Sequence, residues 1–243
     1  MTPLGLGAGF YGLGGMSVGG DGTGAIWTPR KLGSKMIHWY RFNTGITTAT
    51  VSDTDGFVSV WADQVGSNDL APSADDDASE MPFLESDGTL FFQQNTDSLV
   101  FQSALSLGAF AIYVKHNMKE GQTVSSEVMM EGSADSIKLA SPTEARVKVS
   151  SRQDFTINEI VEGTPYVLGV ERAANGDISV FKDNNAGTAA DGDDLNEAIS
   201  TTFDITQLGD AIVQSYWYEV VICDAALSAT ERKNLYTYLS NVG

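Results

Sequence analysis

The sequence predicts an all-β fold: an antiparallel β-sandwich or jelly roll, closed by one short C-terminal helix. Three observations predict it. Short runs of aromatic and β-branched residues recur along the chain, each bounded by Asp, Asn, Ser or Gly. Ala174-Asn175-Gly176-Asp177 sets an Asn-Gly step between two such runs, the turn chemistry of a tight hairpin. No helical period appears until the C-terminus, where Leu235, Tyr238, Leu239 and Val242 share one helical face.

The strands are expected in this order. Ile37–Phe42 and Phe57–Trp61 come first, followed by Leu90–Gln93 and Leu99–Phe101. Ala109–His116 is the clearest central strand. Glu127–Glu131, Ser136–Leu139, Ala145–Val149 and Asp154–Ile157 follow. Tyr166–Arg172 and Ile178–Lys182 flank the Asn-Gly turn, and Ser215–Cys223 is the last strand. Ser228-Ala229-Thr230-Glu231 then forms a capping box, which starts the helix.

The first twenty-five residues differ in kind. They hold ten glycines and no charged side chain except Asp21. Glycine loses the most backbone freedom on ordering, so this segment cannot fold by itself. Yet Leu4, Leu6, Phe10, Tyr11, Leu13 and Met16 are apolar, which a solvated linker does not need. The expected organisation is an arm over residues 1–35 that orders against a partner, and a sandwich over residues 36–243.

Charge narrows the partners. The formal net charge is −18, which repels phosphate backbones and anionic membranes. Between Arg41 and Lys115 there is no Lys or Arg, so one face or loop set is strongly negative. Asp75–Asp77 and Asp191–Asp194 form acidic loops. No basic-then-apolar leader and no run of membrane-spanning length occurs, so neither Sec export nor a membrane is expected. Cys223, the single cysteine, excludes an intrachain disulfide and sits in an apolar strand, as a small core residue would.

Several phrases then carry a resemblance. Trp39-Tyr40-Arg41-Phe42 is followed by Val60-Trp61-Ala62-Asp63-Gln64-Val65-Gly66-Ser67-Asn68-Asp69, a Pro82-containing stretch and Leu90-Phe91-Phe92. Tyr218–Cys223 leads into Asp224-Ala225-Ala226-Leu227-Ser228-Ala229-Thr230-Glu231-Arg232. This series resembles the concanavalin A-like lectin/glucanase superfamily in its laminin-G-like form, over roughly Lys35 to Gly243. It departs from that pattern at Arg41, where an acidic residue is common. It departs again at Lys182-Asp183-Asn184-Asn185, which is expected to lengthen into an acidic loop in place of Asn-Gly. The opening, Leu4 to Gly15, resembles the start of virion proteins of tailed bacteriophages, marine ones in particular.

The first resemblance raises glycan chemistry. Glucanases of the superfamily carry Glu-x-Asp-x-Glu on one strand, and Glu127-Val128-Met129-Met130-Glu131 lacks the central acid. On a regular strand Glu127 and Glu131 lie about 13 Å apart at Cα. The sequence therefore favours glutamates on a wet face, with Val128 and Met130 in the core. Glu85 with Asp87, and Glu159 with Glu162, are weaker acid pairs. His38 and His116 sit in strands, without a nucleophile motif beside them. Asp191, Asp193 and Asp194 near Asn184 and Asn185 leave a structural calcium open against a solvated turn, and one cysteine with two histidines disfavours zinc. Trp39, Trp61 and Trp217 fall in strands and Trp27 in the arm, so no sugar-facing ring is nominated.

These readings converge on an expectation. The chain is expected to be a non-enzymatic structural protein decorating a phage head or tail, assembled in the host cytoplasm and resident in the virion. It is expected to need no cofactor, to contact other capsid or tail subunits, and to be a homo-oligomer on the particle. Leu4, Leu6, Phe10, Tyr11, Leu13 and Met16 would anchor it. The alternative is a lectin-like adhesin for host surface polysaccharide, with glycoside hydrolysis behind that.

Overall fold

The computed structural model describes residues 26–49, 56–73, 80–94, 96–190, 201–209 and 214–243. It opens with a 3-10 segment, Pro29–Lys35, kinked at Gly33 where φ is 63°. The strands β1 (Met36–Tyr40), β2 (Ile46–Thr48), β3 (Val58–Trp61), β4 (Leu70–Ala71), β5 (Phe83–Leu84) and β6 (Leu90–Phe92) follow. Next come β7 (Ser98–Leu107), β8 (Phe110–Met118), β9 (Glu127–Glu131), β10 (Ser136–Ser141), β11 (Glu144–Val149) and β12 (Ser151–Thr156). The chain continues through β13 (Tyr166–Arg172), β14 (Ile178–Lys182), β15 (Asn185–Ala186), β16 (Thr188–Ala189), β17 (Phe203–Gly209) and β18 (Ser215–Cys223). It ends in α1 (Ala229–Ser240).

Two antiparallel sheets form the sandwich. The first runs β15-β14-β13-β8-β18-β6-β5, with β1 also paired to β18. The second runs β16-β12-β11-β10-β9-β17-β7-β4-β3-β2. Alternation sets which residues face inward. In β11, Ala145, Val147 and Val149 are buried in the inter-sheet core, whereas Arg146 and Lys148 point to the opposite, outer face. The inter-sheet core contains Trp61, Trp217, Phe92, Phe110 and Phe203, all fully buried.

A second, smaller core covers the outer face of the first sheet. Leu32 and Met36 join Trp39, Tyr113, Val221 and Cys223 of the strands and Leu227, Leu235 and Leu239 of the C-terminal segment. That covering explains why all nine residues of β8 are buried: one side faces the inter-sheet core and the other lies under this cluster. Strand β13 must pass close to Tyr113, and Gly169 allows it. A Cβ there would stand 2.3 Å from the Tyr113 ring.

The helix begins as expected. The Ser228 hydroxyl accepts the Glu231 N–H, and the Glu231 carboxylate takes the Ser228 N–H at 2.8 Å. Charged pairs fasten it down. Arg232 donates from Nε and Nη2 to both oxygens of buried Glu171, at 3.0 and 3.1 Å, and Tyr113 donates to the same carboxylate at 2.6 Å. Lys35 bonds Glu231 at 2.8 Å and so ties the 3-10 segment to the helix. Its ammonium holds the Glu231 carboxyl well down, at about 2.

Each expected strand over the described residues is present, and the Asn-Gly hairpin joins β13 to β14. The loop expected at Lys182–Asn185 is instead a tight two-residue turn. Asp183 and Asn184 both take positive φ, 50° and 61°, and Lys182 pairs Asn185 directly. The 3-10 segment, expected within the arm, packs on the sandwich through buried Leu32 and Pro29. Among the described residues no helix is long and apolar enough to cross a membrane.

Candidate functional site

The anchoring residues Leu4, Leu6, Phe10, Tyr11, Leu13 and Met16 lie outside the described residues, as do Asp75–Asp77, Asp191, Asp193 and Asp194. What the structure does describe is the root of the arm. Trp27 meets Tyr238 of α1 edge-on, with centroids 6.3 Å apart, and the Arg30 guanidinium lies 5.6 Å from the Trp39 ring. Ile26 is 70% exposed. The chain is therefore clamped to the helix side of the sandwich from Trp27 onward.

The acid pair expected on a wet face is not there. Glu127 is 0% exposed and points into the inter-sheet core, where His116 Nε2 of the facing sheet stands 3.3 Å from its Oε1. His116 Nδ1 shares a 2.7 Å hydrogen bond with the Tyr166 hydroxyl. Trp217 stands edge-on against the imidazole, with centroids 5.2 Å apart. Burial, with the nearby Glu127 charge, raises the Tyr166 phenol well above its usual range. A register shift between Ile137 and Lys138 buries both Met129 and Met130, so the strand does not alternate simply. Glu131 lies on the rim of the outer face, where Gln207 donates to it at 3.3 Å. The two glutamates do not converge on a common substrate position.

The other expected groups have structural work. Asp63, in the tryptophan–aspartate phrase, accepts from Trp39 N at 3.0 Å and Val65 N at 3.1 Å and bonds His38 Nδ1 at 2.7 Å. Burial by itself would raise its carboxyl; the His38 bond and backbone N–H groups outweigh that and hold it low. Asn68 straps β7, exchanging bonds with Ser103 at 2.7 and 2.9 Å. Asp87 accepts from Thr89 within its own turn, and Glu162 accepts from Gly121 N. Trp39, Trp61 and Trp217 are buried, and burial pushes the Cys223 thiol up to about 12. Among the described residues no group of three or more His, Cys, Asp or Glu is placed to hold a metal.

The outer face of the second sheet carries a feature the sequence reasoning missed. Lys138 of β10 stands opposite Arg146 of β11, and Lys148 opposite both Ser136 and Arg152. These four cations line a cleft of about 420 Å³, walled by Glu131 and the 132–135 hairpin. The wall is fixed in place. Asp135 accepts from Ser150 N at 3.0 Å and Asp204 N at 2.8 Å, and a Cβ at Gly132 would stand 1.9 Å from the Asp204 carbonyl oxygen. The signal was available in Arg146-Val147-Lys148, where cations alternate with core residues.

No family model matches the chain, and no curated protein sequence does. Solved structures are similar in fold. Trypanosoma rangeli sialidase in complex with the inhibitor DANA aligns with a TM-score of 0.54 at 12% identity, over 83% of this chain and 32% of the sialidase. The botulinum neurotoxin serotype G binding domain aligns with a TM-score of 0.53 at 11% identity, over 74% of this chain and 49% of that one. This chain thus spans less than half the length of either structure. The likeness establishes an all-β sandwich, consistent with the two sheets described above.

Proposed function

We propose that this protein is a non-enzymatic structural subunit of a bacteriophage particle, decorating head or tail and anchored by its N-terminal arm. The observation behind the reading is the glycine-spaced apolar opening of the sequence, and the arm's root and the cationic cleft occupy opposite outer faces of the sandwich, which is compatible with it. A chain gripped through residues 1–25 would thus turn its helix side to the particle and its β10–β12 face to solvent. Glycine-spaced apolar side chains in that arm suit close burial against a neighbouring subunit, each contributing about 1.5–3 kcal/mol before ordering costs. Deleting Met1–Gly24 keeps Trp27 and the 3-10 segment, so the sandwich should melt unchanged. The truncated protein should be missing from purified particles; incorporation at the parental copy number overturns the proposal.

A second reading, a glycan-binding adhesin, is favoured by the cleft itself. A sialidase is among the solved structures that share this fold, which is compatible with the reading. The sealed position of Glu127 speaks against the glutamate pair as hydrolytic acids.

A further inference from the structure

We infer that the outer-face cleft over β10–β12 is a binding site for a carboxylate-bearing polysaccharide. The inference deepens the adhesin reading and rests on it.

The cleft gathers cations in a chain that is acidic overall: Arg146 is paired with Glu144 and Asp154, and Arg152 with Asp154, which leaves Lys138 and Lys148 as the lysines open to a ligand. In a protein with a formal net charge of −18, four of the fourteen Lys and Arg residues meet in one concavity. Its floor is the outward row of three adjacent strands, so the spacing of the cations is set by sheet geometry. Lys138 and Lys148 are diagonal neighbours across β10 and β11, about 7–8 Å apart at Cα. Among the described residues neither lysine forms an ion pair, so both ammonium groups can meet an outside anion. Two carboxylates also line the site, but Asp135 is taken up by backbone N–H groups and Glu131 receives Gln207.

A carboxylate already shows what the rim recognises. Asp154 sits between Arg146 Nε at 2.7 Å and Arg152 Nε at 2.9 Å, and the bonds from Arg152 and Arg146 hold its carboxyl below the usual range. Serines supply the other half of sugar recognition. Ser126, Ser133 and Ser136 line the cleft beside the lysines, and hydroxyls can both donate to and accept from a sugar's own hydroxyls. The volume falls within the range of about 300–1,000 Å³ for small-ligand sites, which suits a short stretch of acidic sugar.

Nucleic acid fits less well. No aromatic ring lines the cleft, so bases would have nothing to stack on.

The test is isothermal titration of the full chain with polygalacturonate, neutral dextran, a panel of other neutral glycans and single-stranded DNA, in parallel with the K138Q/K148Q double variant. Both positions are on the outer face, and an unchanged melting temperature confirms that the variant folds. Polygalacturonate should bind, weaken as salt rises, and lose at least about tenfold in affinity in the double variant, with dextran silent. Three results overturn the inference: no polygalacturonate binding, equal binding by parent and variant, or single-stranded DNA binding as tightly as polygalacturonate. Binding to a neutral glycan without polygalacturonate binding would sink the inference and leave the adhesin reading standing. No binding to any saccharide would sink both.

Discussion

His116→Ala should be among the most destabilising single changes in this protein. The imidazole stands 3.3 Å from the carboxylate of Glu127, and both side chains are fully buried between the sheets. Neither Glu127 oxygen has a hydrogen-bond partner among the described residues, so the histidine is what faces that acid in the core. Removing it also strips the Tyr166 hydroxyl of its 2.7 Å bond. Breaking a buried pair by deleting one member typically costs about 3–5 kcal/mol. Whole-domain stability is usually about 5–15 kcal/mol, so the loss is a large fraction of it. For a chain of this size the melting temperature should fall by about 6–20 °C. Differential scanning calorimetry reads this directly. The double variant H116L/E127M removes the buried charge along with its partner at little change in volume and should recover part of the loss, the Tyr166 hydroxyl staying unpaired. If His116→Ala melts within about 2 °C of the parent, the buried-pair account of Glu127 is wrong.

Two further perturbations probe the helix side. Arg232→Ala leaves Glu171 buried with the Tyr113 hydroxyl as its remaining hydrogen-bond partner among the described residues, and should cost about 3 kcal/mol. Adding Glu171→Gln should return much of that, because the orphaned charge is gone; equal losses in the single and double variants would refute it. Acid should loosen the same side. The Glu231 carboxyl drops from an ordinary 4.5 to about 2 in the folded protein, chiefly through its bond to Lys35. Its contribution is therefore complete above about pH 4.5 and lost as pH falls through about 2. Glu231→Gln should flatten the acid limb of a pH–stability curve, and an unchanged limb would contradict the assignment.

What the sequence made legible, and what it hid, has physical reasons. The C-terminal helix was readable because its cap is chemical: Ser228 and Glu231 satisfy each other's backbone groups wherever the helix lies. The Asn175–Gly176 hairpin was readable for the same local reason. Strand β17 was missed, although Phe203 and Ile205 alternate with exposed residues. Asp204, Thr206 and Gln207 dilute its apolar signal, and its place is fixed by distant β7 and β9. Glu127 misled because burial of an acid depends on a partner eleven positions away in sequence and on the opposite sheet. The cleft was invisible as a site because its cations come from three strands whose lateral order local spacing does not encode.

The orientation claim has a direct measurement: electron cryo-microscopy of purified particles, with the sandwich fitted into the reconstruction. The account predicts the C-terminal helix and Trp27 turned toward the particle body, and Lys138 and Lys148 turned toward solvent. A sandwich with its β10–β12 face buried against the shell, or particles that carry none of this chain, would contradict it.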